Sequence, residues 1–183
     1  MAKSPSHEFG QIIGNILEDT TESLLKDCAK KHNLFLDKKG IRPARKGKKV
    51  SWIDIYGNKH DLDFVIEKGG TENKIGIPIA FIESAWRRYT KHSRNKSQEI
   101  QGAIMPVVAN HHLKAPFIGV VLAGVFTDGA LNQLKSLGFA VLYLNYDSII
   151  EAFSRSNIDA FYDEDTPEEE FNKKIKAWKN LGK

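Results

Sequence analysis

Apolar residues recur at three- and four-residue steps along residues 6–31, which is the spacing of one face of an α-helix. The residues on this face are Phe9, Ile12, Ile13, Ile16, Leu17, Leu24, Leu25 and Cys28. The pattern predicts an amphipathic helix with Ser6 as its N-cap. Because Cys28 falls on the apolar stripe, we expect a buried, inert thiol and not a nucleophile.

Short runs rich in β-branched and aromatic residues follow the first helix and predict three strands. They are Val50–Tyr56, His60–Glu67 and Ile75–Glu83. A turn at residues 57–59 joins the first two strands as a hairpin, and a Gly-Gly turn at residues 69–70 leads to the third. Since the third run is apolar on both faces, we expect it at the centre of the sheet.

The second half of the chain alternates between helical and strand-like patterns. A helix is predicted over Arg94–Asn110, capped by Ser93 and kinked or ended early by Pro106. The remaining elements are a strand at 117–126, a helix at 128–137, a strand at 139–144 and helices at 148–155 and 167–181. Helix-joined strands run parallel. We therefore expect one α/β domain over residues 1–183, a mixed central sheet flanked by helices, with a basic loop at 38–49 and a C-terminal helical extension at 147–183.

Length and composition fit a single soluble domain: 183 residues, 41% hydrophobic and 27% charged. No run of about 18 apolar residues is present, so we expect no membrane span. The N-terminus lacks the apolar core of a signal peptide, and the single cysteine fits a reducing cytoplasm. No cysteine or histidine spacing matches a zinc site.

The net charge of +4 says little, but the charges are segregated along the chain. Residues 38–49 hold seven basic side chains and no acid, residues 87–96 are also basic, and acids gather in residues 159–170. Two basic stretches flanking a candidate acidic site indicate a polyanion as partner. The alternative is that each basic run is only a solvated loop.

Three carboxylates form the candidate chemical centre. Asp61 and Asp63 point to the same face if they lie on one extended strand, and pairing across the Gly-Gly turn brings Glu83 beside one of them. Carboxylate oxygens suit Mg²⁺. Acids on a solvated strand edge are the alternative, but Glu83 ends an apolar strand, where an acid needs a partner or a metal. A glutamate of the first helix (Glu8, Glu18 or Glu22) can also reach this site.

The element order, with one acid on the second strand and another ending the third, resembles the PD-(D/E)XK nuclease superfamily, and within it type II restriction endonucleases. Asp63, before an apolar run, matches the family's first acid best, with Asp61 as the rival. Glu83, 20 residues later, matches the acid of the Glu-x-Lys element. Ala85 stands at the family's lysine position, so the basic group must come from elsewhere; Lys96 is the first candidate and Arg87 the second.

The resemblance implies a restriction-endonuclease-like core and a Mg²⁺-dependent, sequence-specific endonuclease that hydrolyses double-stranded DNA. It implies a homodimer in a prokaryotic cytoplasm, with a possible cognate DNA methyltransferase. The expected DNA contacts are Arg88, Lys91, His92, Arg94, Arg42, Arg45, Lys46 and Lys48. Two alternatives stay open: a catalytically silent nucleic-acid-binding or partner subunit with the same fold, and a repair or recombination nuclease.

Overall fold

The computed structural model describes residues 4–114 and 116–181. It contains five α-helices and seven strands within those residues. In chain order they are α1 (Pro5–Lys31), β1 (Phe35–Lys38), β2 (Val50–Ile53), β3 (Lys59–Leu62), β4 (Phe64–Lys68), β5 (Ile77–Arg87), α2 (Thr90–Asn110), β6 (Phe117–Gly124), α3 (Asp128–Ser136), β7 (Ala140–Asn145), α4 (Tyr146–Ser154) and α5 (Glu168–Leu181).

Five strands form the central sheet in the order β1-β4-β5-β6-β7. The pairs β1–β4 and β4–β5 are antiparallel, whereas β5–β6 and β6–β7 are parallel. The mixed sheet flanked by helices is thus confirmed, as are the central place of the third predicted strand and the parallel pairing of the later strands.

Helices cover both faces of this sheet. The α2–α3 face is packed through Phe81, Leu122 and Ile104, all fully buried. On the opposite face α1, α4 and α5 share a second apolar cluster that includes Phe9 and Trp86. Successive residues of one strand alternate between the two clusters, so Ala85 faces α2 and Trp86 faces α1.

The prediction of one continuous strand over residues 60–67 is wrong, because the β-strand is interrupted at Asp63. Residues before the break belong to the β2–β3 hairpin, which forms a separate two-stranded sheet. Residues after it form β4 of the central sheet. Asp61 and Asp63 therefore do not share one face of a continuous strand, and the predicted three-stranded meander is divided between two sheets.

Strand β5 extends four residues past Glu83 and ends at Arg87, where β6 lies unusually close. Gly124, which pairs with Arg87, has φ +99, and a Cβ there would collide with the Arg87 carbonyl and the Trp86 ring. Only glycine tolerates both the conformation and this close approach. The end of β5 is thereby fixed against β6 where the candidate site lies.

Several local predictions need correction. Ser4, not Ser6, caps α1, accepting a hydrogen bond from the His7 amide. Cys28 is exposed, because the buried position in the last turns of α1 is Ala29. Ser93 lies inside α2 and donates to the Thr90 carbonyl; that helix begins at Thr90. It also continues through Pro106 to Asn110, and sequence patterning missed β1 altogether.

None of the helices in the described part of the chain is both long enough and apolar enough to cross a membrane.

Candidate active site

Asp63 and Glu83 meet where β4 begins beside β5. The Asp63 amide donates to Glu83 Oε1 at 3.0 Å, and the Ser84 amide donates to Asp63 Oδ2 at 2.9 Å. These two bonds follow from the antiparallel register, in which Phe64 opposes Ile82. The prediction that Glu83 lies beside Asp63 or Asp61 is confirmed for Asp63.

Glu83 is only 6% exposed, and its carboxylate has a second carboxylate as neighbour. Burial, followed by the negative charge of Asp63, raises the pKa of Glu83 to about 8. The Asp63 amide and the charge of Lys96 act in the opposite direction without cancelling the rise. Without a bound cation, the Glu83 carboxyl is therefore mostly protonated at neutral pH, and a cation placed here would favour its ionised form.

Lys96 comes from α2 and is the cation whose charge acts on Glu83. Its side chain is 14% exposed and its Nζ donates to Glu99 Oε1 at 2.8 Å. Ala85, at the position of the expected family lysine, is buried on the same side of β5 as Glu83 and packs against α2. The charge of the first-choice substitute for the missing lysine thus acts on the acid that it was expected to serve, while its ammonium group is bound to Glu99.

Glu18 of α1 approaches the pair from the other side of the sheet. Burial and the charge of Asp63 raise the pKa of its carboxyl. The sequence offered three glutamates on α1 as candidates, and the structure selects Glu18. The sequence pattern does not distinguish the three, because each is adjacent to a buried residue of the helix: Phe9, Leu17 or Thr21.

Asp61 is held apart from the pair by its own partners. It accepts hydrogen bonds from Lys49 Nζ at 2.5 Å and Ser51 Oγ at 2.6 Å across the β2–β3 hairpin. It still borders a small cleft of about 200 Å³ that Glu18 and Asp63 also line. Asp61 is therefore a neighbour of the carboxylate pair and not part of it.

A larger cleft of about 450 Å³ opens from Asp63 at the C-terminal end of β5. Its second wall comprises the end of β5 and the start of α2. Its first wall is one side of α1, formed by Ser6, His7, Gly10, Gln11, Gly14, Asn15, Leu17 and Glu18. Four basic side chains line the second wall: Arg87, Arg88, His92 and Lys96. The cleft thus combines carboxylates at its base with cationic groups on one side.

Arg88 also borders the cleft, but its guanidinium is engaged inside the protein. It donates to the Tyr162 carbonyl and lies 4.0 Å from the centre of the Tyr146 ring. Lys91 and Arg94, in the first turns of α2, are exposed. Of the basic residues expected to bind DNA in this region, Lys91, His92 and Arg94 are open to solvent, whereas Arg88 joins β5 to the C-terminal segment.

Within the basic loop the arginines and lysines have different environments. Arg42 is 3% exposed, forms ion pairs with Asp37 and Glu67 at 2.8 and 2.7 Å, and donates to two backbone carbonyls. Arg45 pairs with Asp37 and donates to three carbonyls. Both arginines are fully used in attaching the loop to the sheet, so in this structure neither is available to DNA. Lys46 and Lys48 are exposed.

No three His, Cys, Asp or Glu side chains within residues 4–114 and 116–181 form a ready-made metal cluster. Mg²⁺ does not require one, because it keeps several waters and binds through one or two carboxylates plus substrate phosphate. Asp63 and Glu83 supply two hard oxygen ligands, and the raised pKa of Glu83 indicates a pair without a charge partner of its own. The donor set therefore fits Mg²⁺, with Glu18 as a third carboxylate nearby.

Comparison with known proteins adds no functional information. No model of a known protein family matches the sequence, and no curated protein matches it significantly. The chain resembles the crystal structure of a protein of unknown function, AF1548, with a TM-score of 0.42 at 10% identity. That match covers 72% of this chain and 64% of the other, and a likeness at this level says nothing about activity.

Proposed function

We propose that this protein is a Mg²⁺-dependent endonuclease that hydrolyses phosphodiester bonds of double-stranded DNA at specific sequences. The observation that carries the proposal is the Asp63–Glu83 pair, in which Glu83 is buried and the half-buried Asp63 lines a cleft with cationic side chains along one wall. Paired carboxylates without a cation of their own favour a metal, and cations beside them favour a phosphate.

Each group has a distinct role in this proposal. Asp63 and Glu83 hold Mg²⁺, which when bound lowers the pKa of water and stabilises negative charge on the phosphate. Lys96, whose charge acts on Glu83, orients the attacking water or neutralises the phosphate in this proposal. Arg87 and His92 bind the phosphate on the cleft wall.

The positions of the cations around the carboxylates support cleavage of an internal phosphodiester bond in a DNA strand. Glu18 and Asp63 line both the larger cleft and the smaller one, so the two clefts meet at the carboxylates. Lys39 and Lys49 border the smaller cleft, while Arg87 and Lys96 border the larger. Cations on both sides of the acids suit a strand that continues in both directions, as the substrate of an endonuclease does.

Cutting both strands with one site per chain would use two copies of the protein, and a homodimer is part of the proposal. A restriction role further requires a methyltransferase of the same specificity to protect host DNA.

A second candidate is a silent DNA-binding or partner subunit with the same fold. One observation favours it: Ala85 occupies the position of the expected lysine, and Lys96 is already bound to Glu99. Under this alternative the cleft binds DNA but no bond is broken.

Incubation of the purified protein with unmethylated plasmid, in Mg²⁺ or in EDTA, tests the proposal. We expect discrete Mg²⁺-dependent fragments, and a loss of about 10²–10³-fold or more in rate for Asp63→Asn. The matched control is Asp27→Asn, the same change at an exposed position of α1, which should cut like the wild type.

Other results have distinct meanings. Smeared or nicked DNA would refute sequence-specific cleavage and indicate a nuclease with another substrate. An intact plasmid that is nevertheless retarded on a gel would refute catalysis and support the silent subunit.

A further inference from the structure

The first wall of the large cleft differs in chemistry from the second. It is formed by one side of α1, where His7, Gln11, Asn15 and Glu18 recur at four- and three-residue steps. The residues of this wall before Glu18 include no lysine, arginine or carboxylate, whereas the opposite wall carries Arg87, Arg88 and Lys96. Phosphates would bind to the cationic wall, which leaves the neutral wall facing sugars and bases.

The hydrogen-bonding groups on this wall are of the type that reads bases. Asn15 and His7 are exposed side chains of the cleft. An asparagine amide donates and accepts at once, which is how such side chains recognise adenine in the major groove and A·T pairs in the minor groove. A neutral wall of this kind adds selectivity without adding general affinity for the backbone.

Two glycines, Gly10 and Gly14, lie on the same wall inside α1. Glycine within a helix is unfavourable relative to alanine, so its presence calls for a reason. Internal packing does not supply one: a Cβ at Gly14 would lie 3.9 Å from Trp86 Cβ, an ordinary contact. A Cβ at Gly10 would likewise have its nearest neighbours at 3.9 Å. The missing side chains instead keep the cleft open on the side of α1.

Distances along α1 relate this wall to the proposed cleavage point. At about 1.5 Å of rise per residue, Asn15 lies about 4.5 Å from Glu18 along the helix, and His7 about 16 Å. With about 3.4 Å per nucleotide of one strand, Asn15 is near the first nucleotide from the acids and His7 within about five.

Resting on the proposed function, we propose that the α1 wall is the specificity surface of the site: Asn15 and His7 contact the nucleotides on one side of the cleaved bond, and Gly10 and Gly14 leave room for them.

The test combines binding and cleavage of a DNA duplex library with randomised sequence. We expect Asn15→Ala and His7→Ala to reduce cleavage of the preferred sequence about 5- to 150-fold, and each to relax base preference at one or two positions. Neither should change the salt dependence of binding, because neither contact is to a phosphate. Ser23→Ala, an exposed position on the same helix away from the cleft, is the control.

Gly14→Ala gives a second readout that a structural role alone would not produce. We expect it to raise Tm by about 2–4 °C, because alanine favours the helix, while weakening DNA binding at least about fivefold. Gly102→Ala makes the same change in α2, where a Cβ would meet nothing within 4 Å and no cleft is lined. It should stabilise the protein and leave DNA binding unchanged.

Failure of this inference is separable from failure of the proposed function. If Asp63→Asn abolishes cleavage but the α1 variants keep wild-type rates and base preference, the specificity surface is refuted and the nuclease stands. If the wild type binds the library without cutting it, the nuclease is refuted, and the specificity surface is refuted too unless Asn15→Ala or His7→Ala changes the base preference of binding. Absence of binding by the wild type would refute both.

Discussion

Glu67 and Glu83 lie on neighbouring strands of one sheet, and both are buried, at 0% and 6% exposure. Their surroundings are opposite. Glu67 accepts two hydrogen bonds from Arg42, at 2.7 and 2.9 Å, and one from the Gly76 amide at 2.6 Å. Glu83 accepts from one amide, has the Asp63 carboxylate beside it, and has Lys96 only as a charge that acts from a distance.

This difference separates a carboxylate that supports the fold from one that is suited to chemistry. A buried charge with a complete set of partners fixes the structure around it, here by attaching the basic loop to β4. A buried carboxyl held against another carboxyl has a raised pKa and gains from a cation that the fold does not provide. Burial alone therefore does not identify the site; the lack of a charge partner does.

The same substitution at the two positions gives the largest expected contrast. Glu67→Gln leaves the buried Arg42 without its closest charge partner and should lower the free energy of unfolding by roughly 3 kcal/mol. Glu83→Gln replaces a carboxyl that is about half protonated at pH 8 with a neutral amide that can still accept from the Asp63 amide. We expect no loss of stability from it at pH 8, as measured by denaturant unfolding.

Equal destabilisation by the two variants would show that Glu83 is as well satisfied as Glu67, and it would remove the basis for placing the site there. Asp27→Asn, at an exposed position, sets the scale for a carboxylate without structural partners.

The pH dependence of stability sharpens the comparison further. The pKa of Glu83 rises from 4.5 to about 8 on folding. Between these values the folded chain keeps a proton that the unfolded chain has released. The contribution of this group is therefore fully present below pH 4.5 and is lost as the pH rises to about 8, at up to about 1.4 kcal/mol per pH unit. As the pH rises from 5 to 8, the free energy of unfolding of the wild type should therefore fall relative to that of Glu83→Gln.

Added Mg²⁺ should reduce this slope in the wild type, because a cation favours the ionised carboxylate. A wild type and a Glu83→Gln variant with parallel pH profiles would contradict the raised pKa.

The sequence pattern was sufficient to predict that Glu83 lies beside Asp61 or Asp63, because two local rules agree, and the family resemblance favoured Asp63. An acid at the end of an otherwise apolar strand signals a buried carboxyl, and the Gly-Gly turn allows an antiparallel pairing that carries Glu83 back toward these two acids. The mixed sheet followed from the same patterns, since the helix between two apolar strands requires a parallel crossover. Lys96 was the first candidate for the basic group, ahead of Arg87, because the family resemblance implied a substitute for the lysine missing at Ala85.

The interruption at Asp63 was not predictable in the same way. Residues 60–67 read as one continuous strand, and only the pairing partners show that β3 pairs with β2 while β4 pairs with β1 and β5. Strand β1, which includes Asp37, was missed because its four residues are too few to show a recognisable alternation of apolar and polar positions. The structural roles of Arg42 and Arg45 depend on acids that are distant in sequence, so a count of basic residues in the loop could not separate them from Lys46 and Lys48.

The difference between the arginines and the exposed lysines of the basic loop leads to the last prediction. Replacing the lysines should have the smallest effect on stability and a separate effect on DNA binding. Lys46 and Lys48 are exposed, so replacing both with alanine should change the free energy of unfolding by less than about 0.5 kcal/mol. If they contact the DNA backbone, the double variant should bind DNA more weakly at all sequences and reduce the slope of log K against log salt by up to about two. Arg42→Lys, which keeps the charge but loses the paired geometry, should destabilise the fold instead. A salt slope left unchanged by the double lysine variant would show that this loop, despite its seven basic residues, serves the sheet through its arginines and does not serve the DNA.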